Sequence, residues 1–268
     1  MSENIQNNKQ PYVTVEFFIP KDMGPRDWGR ELTVSHVPGL YTGKMLIINK
    51  GTKTEREKHS SKHQCRYLHS GELLVRFDSG DNIFQEKKMA AGDSIHVPPA
   101  VTHEEEAITD CVIFETSADE TNANAIKTTI NFFKPEDVGP RIWGREILIS
   151  HVPRLFTGKL LLRKSDGGKK RSLQYHRVKN ESDYMYSGEM WLYYIDEEGK
   201  VQRKKVSAGE CVHIPPGAVH SEEAITDCVI FETSNPVFND RVRVNDQYGW
   251  PDPIGSLPST SIDEIEIR

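Results

Sequence analysis

The chain predicts an all-β protein made of two tandem jelly-roll (double-stranded β-helix) barrels, and three observations carry that expectation. The sequence is written twice, each copy breaks into short β-branched and aromatic runs separated by turn residues, and no segment sustains a helical period. Within the first copy, "GKMLIINK", "GELLVRFD", "DSIHVPP" and "CVIFET" read as strands; "GKLLLRK", "GEMWLYYID", "ECVHIPP" and "CVIFET" repeat them in the second. "SG", "AGD" and "PP" punctuate both sets, and a jelly roll hides the edges of so many short strands best.

The repeat sets the domain boundaries. "FFIPKDMGPRDWGRELTVSHVPGLYTGK" at 17–44 recurs as "FFKPEDVGPRIWGREILISHVPRLFTGK" at 132–159, and "HEEEAITDCVIFETS" at 103–117 recurs as "HSEEAITDCVIFETS" at 220–234. The offset grows from 115 to 117, which two extra residues in the turn "KSDGGKK" explain, because a surface loop absorbs an insertion cheaply. Barrels over 13–118 and 129–235 follow, joined by the polar "ADETNANAIKT", with an irregular Pro-rich tail at 236–268 that wraps the surface.

Composition narrows the class. The chain has 268 residues, 36% hydrophobic and 28% charged, enough for two modest cores. It holds no apolar run of eighteen, and its start, "MSENIQNNKQP", is polar, so neither a membrane span nor a secretory leader is expected. A net charge of −6 offers no basic footprint for nucleic acid. Cys65, Cys111, Cys211 and Cys228 lack CxxC spacing and read as reduced thiols of a cytoplasmic protein.

The candidate chemistry lies in "RSLQYHRVKNESDYMYSGE", residues 171–189. Gln174 and His176 are two apart and project to one face of a strand, and Glu181 can return to that face beyond a polar kink. Amide oxygen, imidazole and carboxylate suit a first-row divalent ion. Aligning the copies at "SGE" sets Glu57, His59 and Gln64 beside this triplet, with the amide and carboxylate exchanged. A merely polar strand face has no reason to keep the three types while permuting them. "VPPAVTH" and "IPPGAVH" then each end in a histidine, His103 and His220, after a proline-stiffened turn.

These motifs resemble the two conserved motifs of the cupins, here as a bicupin. More narrowly, "VGPRIWGRE", "GKLLL", "RSLQYH", "YSGE", "HIPPGAVH" and "RVRVNDQYG" are similar to the cupin module of type II mannose-6-phosphate isomerases, over nearly all of 135–249. The resemblance implies a β-barrel holding Zn²⁺, or else Mn, Fe or Ni, through Gln174, His176, Glu181 and His220. It further implies aldose–ketose interconversion of a sugar or sugar phosphate, with a homodimer as an allowed assembly.

Such a reaction needs a base, a Lewis acid and cations for the phosphate. Arg145 in "WGRE" and Lys159 in "TGK" are the phosphate candidates, with Arg30 and Lys44 their counterparts; Tyr184 and Trp191 read as packing residues. Two positions depart from the isomerase pattern. Lys179 stands where an arginine precedes the ligand glutamate by two, which keeps the charge and loses the planar fork. Ser182 stands where a histidine follows, leaving His213 or His151, paired with His96 and His36, to take that role. Alternative readings are a cupin dioxygenase or decarboxylase, and a non-catalytic carbohydrate-binding bicupin. The second copy keeps the family's ligand order and has Gly217 in "PPGAVH", read as letting backbone approach the site, where the first has Ala100. The second barrel is therefore the expected active site, with a metal-binding but different first barrel.

Overall fold

The structure, a computed structural model, describes residues 12–78, 83–118, 129–165, 172–251 and 257–268. Most of the expected linker and part of the "KSDGGKK" turn lie outside the described residues.

Two seven-stranded antiparallel sheets form the body, each completed into a barrel by a smaller sheet. In the first barrel the large sheet runs Asn131–Phe133, Ser94–Val97, Gln64–Ser70, Cys111–Ser117, Tyr41–Ile48, Gly29–Val37, Lys21–Arg26. Phe84–Ala90, Glu72–Asp78 and His103–Ala107 close it. The second barrel repeats that order with Glu16–Phe18, Cys211–Ile214, Glu181–Ser187, Cys228–Ser234, Phe156–Arg163, Gly144–Val152, Glu136–Arg141. Its closing sheet, Val201–Ser207, Glu189–Ile195, His220–Ala224, Gln174–Tyr175 and Val242–Arg243, gains its last strand from the tail. The fold is the expected pair of jelly rolls.

The first strand of each sheet comes from outside its own copy. Glu16–Phe18 pairs with Cys211–Ile214, and Asn131–Phe133 with Ser94–Val97. Each copy thus lends its leading "EFF" or "NFF" strand to the other barrel. Sheet membership crosses the boundaries drawn from the repeat because pairing covers an exposed edge wherever the strand can reach it.

Strand alternation splits the apolar residues between interior and interface. Leu46, Leu68, Val75, Ile95 and Ile113 fill the first barrel, and Leu161, Met185, Leu192, Val212 and Ile230 the second. Their neighbours on the opposite face, among them Met45, Phe114, Leu160, Tyr184 and Phe231, cement the barrels together. Phe114 and Phe231, equivalent in the repeat, stack at 4.8 Å between centroids. The glycines of the two "TGK" motifs are explained here: a Cβ on Gly43 would collide with Ser35 and Thr233, and one on Gly158 with Ser150 and Thr116. Each lets a threonine of the opposite barrel approach the backbone.

Gly217 has a different reason from the one expected. Its φ is 87°, and an added Cβ would meet only Val13, at 3.7 Å, so it serves a left-handed turn and not a close approach to the site. Ala100 takes the same turn at φ 66°.

Candidate metal centre

In the second barrel, Gln174, His176, Glu181 and His220 line one cavity of about 570 Å³. Gln174 sits opposite His220 across a strand pair, Glu181 opens the strand Glu181–Ser187, and His176 lies in the loop between. Glu181 Oε1 is 3.7 Å from His176 Nε2 and 3.6 Å from His220 Nε2. Two ligands about 2.1 Å from one ion are separated by about 3.0–3.5 Å, so this spacing fits a divalent metal after slight contraction.

Hydrogen bonds prepare the imidazoles. His176 Nδ1 donates to the Asp240 carbonyl and His220 Nδ1 to that of Ala218, at 3.1 Å. A carbonyl only accepts, so both protons sit on Nδ1 and both Nε2 lone pairs are left for the ion. Burial, with the charge of Lys179, pushes His176 down to about 4 despite Glu181, keeping it in the neutral, metal-binding form. Burial would raise the Glu181 carboxyl, yet the charge and hydrogen bond of Lys179 hold it below its ordinary range.

The tail builds part of this shell. Besides its carbonyl, buried Asp240 accepts from the Val178 and Lys179 amides through Oδ2, at 2.7 and 2.9 Å. Arg177 reaches the Thr260 carbonyl at 2.8 Å, and Val242–Arg243 pairs with Gln174–Tyr175. Asp240→Ala is expected to weaken metal affinity by roughly 10- to 100-fold while leaving the ligands in place, measurable by competition with a chelating dye.

The remaining site candidates separate by strand face. Lys159 and Lys179 reach the cavity. Lys159 pairs with Glu146 at 2.9 Å and Glu232 at 3.5 Å; Lys179 bridges Glu181 and Glu232, so it braces a ligand. Arg145 does not reach the cavity. Lys159, Leu161 and Arg163 face it, Arg145 pairs with intervening Leu162, and residues directly opposite share a face. Arg145 instead bridges exposed Asp137. His213 fails for the same reason: it lies opposite Ser182, between inward Glu181 and Asp183, and contacts Ser182 Oγ at 3.0 Å. His151 contacts Thr157 at 3.4 Å, also outside the cavity. Tyr184 packs between the barrels, and Trp191 lies under Arg203 at 4.5 Å.

Other residues complete the cavity. Arg141, Arg241 and Arg243 share one wall, and burial with the charges of Arg141 and Arg243 lowers Arg241. Arg163 bonds Glu222 at 2.5 Å. Asp183 is buried, its Oδ1 meets no hydrogen-bond partner, and burial with Glu222, Glu181 and Glu232 pushes its carboxyl well up. Inward positions on the ligand strands could have been read from the two-residue period; the arginines of the tail carried no such signal.

Glu146 offers a pH test. Although burial opposes it, Lys159 and Arg141 bring the carboxyl down to about 2 from 4.5. A depressed carboxyl stabilises the fold above its unfolded value and loses that contribution as pH falls from about 4.5 toward 2. Glu146→Gln is expected to cost up to roughly 3 kcal/mol at pH 7, with the difference from wild type vanishing near pH 2 in denaturant titrations.

The first barrel brings its quartet together differently. Glu57 contacts His103 Nε2 at 3.0 Å, His59 Nε2 at 3.3 Å and Gln64 Nε2 at 3.3 Å. The same carboxylate also accepts from Arg66 Nη2 at 2.6 Å. Arg66 further bonds Glu105 at 2.5 Å and Glu115 at 2.9 Å, and Lys62 holds Glu115 at 2.9 Å. Burial raises Glu57, but the Arg66 charge and the two imidazoles bring it well below its usual range. His59 and His103 are 6.5 Å apart between ring centroids, against 5.6 Å for His176 and His220. Among the described residues, the triad whose ligand atoms lie within 4.8 Å of one another is His176, Glu181 and His220.

Residues 44–116 match the cupin domain family. An oxalate decarboxylase of Arthroderma benhamiae is 33% identical over 88 residues, 32% of this chain, and the match spans only 20% of that relative's length. Among solved structures, a Bacillus subtilis oxalate decarboxylase studied for its Mn(II) centres superposes with a TM-score of 0.64 at 14% identity, over 88% of this chain and 81% of that one. The Lactobacillus farciminis oxalate decarboxylase in complex with formate gives 0.63 at 14%, over 86% and 89%. At such identities the likeness is one of fold. The chain thus has the bicupin fold, with its matched cupin domain in the first barrel and, among the described residues, its candidate metal-ligand triad in the second.

Proposed function

We propose that the second barrel is a mononuclear metal-dependent active site acting on a small, oxygen-rich carboxylate, with decarboxylation as its reaction class. The observation that carries this reading is the opening of the His176–Glu181–His220 triad into an arginine-walled cavity. An imidazole, carboxylate and amide set suits Mn²⁺ at least as well as Zn²⁺, and manganese is the metal named for a Bacillus subtilis neighbour. When bound, the ion supplies Lewis-acid polarisation of a substrate oxygen. Arg141, Arg241 and Arg243 bind and orient the anion, Lys179 holds Glu181 in place, and Asp183 sets a carboxyl in the cavity to return a proton to carbon.

Isomerisation of a sugar phosphate is the second reading. The volume favours it, since a two-carbon diacid leaves most of about 570 Å³ unfilled. One experiment weighs both: manganese-loaded protein is incubated in D₂O with small carboxylates and with aldose phosphates, and CO₂ release and deuterium uptake at C2 are followed. Carbon dioxide release that disappears in Glu181→Ala is the expected result. Deuterium uptake without CO₂ would replace the first reading with the second, and turnover indifferent to Glu181→Ala would sink both.

A further inference from the structure

We infer that Arg66 occupies, in the first barrel, the place that a metal ion takes in the second, so that the chain binds one ion and not two. The two copies supply the comparison. Arg66 and Asp183 are equivalent: Arg66 pairs with Glu115 and Ile95, Asp183 with Glu232 and Val212. Ile48 and Arg163 are likewise equivalent, each opposite the cysteine that opens "CVIFET".

Going from the first barrel to the second therefore removes an interior arginine beside the ligand quartet, adds an aspartate there, and adds an arginine elsewhere. That added arginine, Arg163, is turned to Glu222 and leaves Glu181 Oε1 to the imidazoles. In the first barrel the guanidinium bonds the would-be ligand Glu57 directly and ties it to Glu105 and Glu115. Arg66 is 6% exposed and its three carboxylate bonds are 2.5–2.9 Å long. His103 Nε2 is also occupied, lying 2.6 Å from Gln64 Nε2 as well as against Glu57. In the second barrel Lys179 takes Oε2 of Glu181 and leaves Oε1 to both imidazoles, whereas here Arg66 bonds Oε1 of Glu57, the oxygen that faces His103, so a divalent cation entering this quartet would meet a fixed positive charge on the atom that must bind it. The residue types are those of a metal site, yet the arrangement does not fit an ion.

The test is elemental analysis of the full chain expressed with added manganese, beside three variants. The expected counts are one ion per chain for wild type and for His103→Ala, none for His220→Ala, and two for Arg66→Ala, whose first quartet is then free to bind. Two ions in wild type would overturn the inference, as would a lowered count in folded His103→Ala or a count of one in folded Arg66→Ala. Should Arg66→Ala fail to fold, the wild-type and His103→Ala counts decide between the two outcomes.

Discussion

Glu181→Ala is expected to strip the second barrel of metal and to lower any turnover by more than about 100-fold, since even the outer partners of metal ligands are worth 10- to 100-fold. Glu181 is the carboxylate between two tautomer-fixed imidazoles, so its loss removes the negative charge that makes the cluster a cation site. It also leaves Lys179 facing Glu232 alone. Glu57→Ala, the matching change in the first copy, should leave metal content and activity near wild type, because Glu57 is bound by Arg66. Metal content and rate under one assay check both variants. A larger activity loss from Glu57→Ala would place the chemistry in the first barrel.

Arg66→Ala is expected to be the most damaging single change to the stability of the first barrel. It leaves Glu57, Glu105 and Glu115 around a vacated interior position, with Glu105 fully buried and Glu115 nearly so. Breaking a buried ion pair from one side costs about 3–5 kcal/mol, since the partner stays charged or must take up a proton. In chelator-containing buffer this should lower the first barrel's thermal transition by on the order of 10 °C. Added Mn²⁺ should recover part of that loss in the variant and not in wild type, because an ion bound only by the folded state stabilises it. An unchanged midpoint in chelator would show that the guanidinium does not hold the interior together.

The family match and the candidate metal triad fall in different halves of the chain. The strand and turn pattern, which depends on core packing and turn chemistry, recurs in both halves. Ligand geometry depends on a few interior charges that the pattern does not weigh. Arg66 and Asp183 occupy the same strand position in the two barrels, and the Arg66 guanidinium sets beside the first quartet a fixed positive charge that Asp183 does not set beside the second.

The sequence by itself determined the two-barrel fold, through a repeat whose strand runs and turns leave few other ways to bury their apolar faces. It also marked both candidate quartets, because two imidazoles, an amide and a carboxylate recur at matching positions of the two copies, with the amide and carboxylate exchanged. Tertiary structure decided what local spacing cannot express. Arg145 and His213 point away from the cavity because side-chain period along a strand is two, and the inward parity is set by which neighbours are buried. The exchanged leading strands and the tail's hold on His176 join residues far apart in the chain, so no short motif records them. The contrast between the barrels rests on Arg66 reaching three carboxylates at once. Such a bridge exists only once three strands and a loop meet, since a charge acts through distance in space and not along the chain.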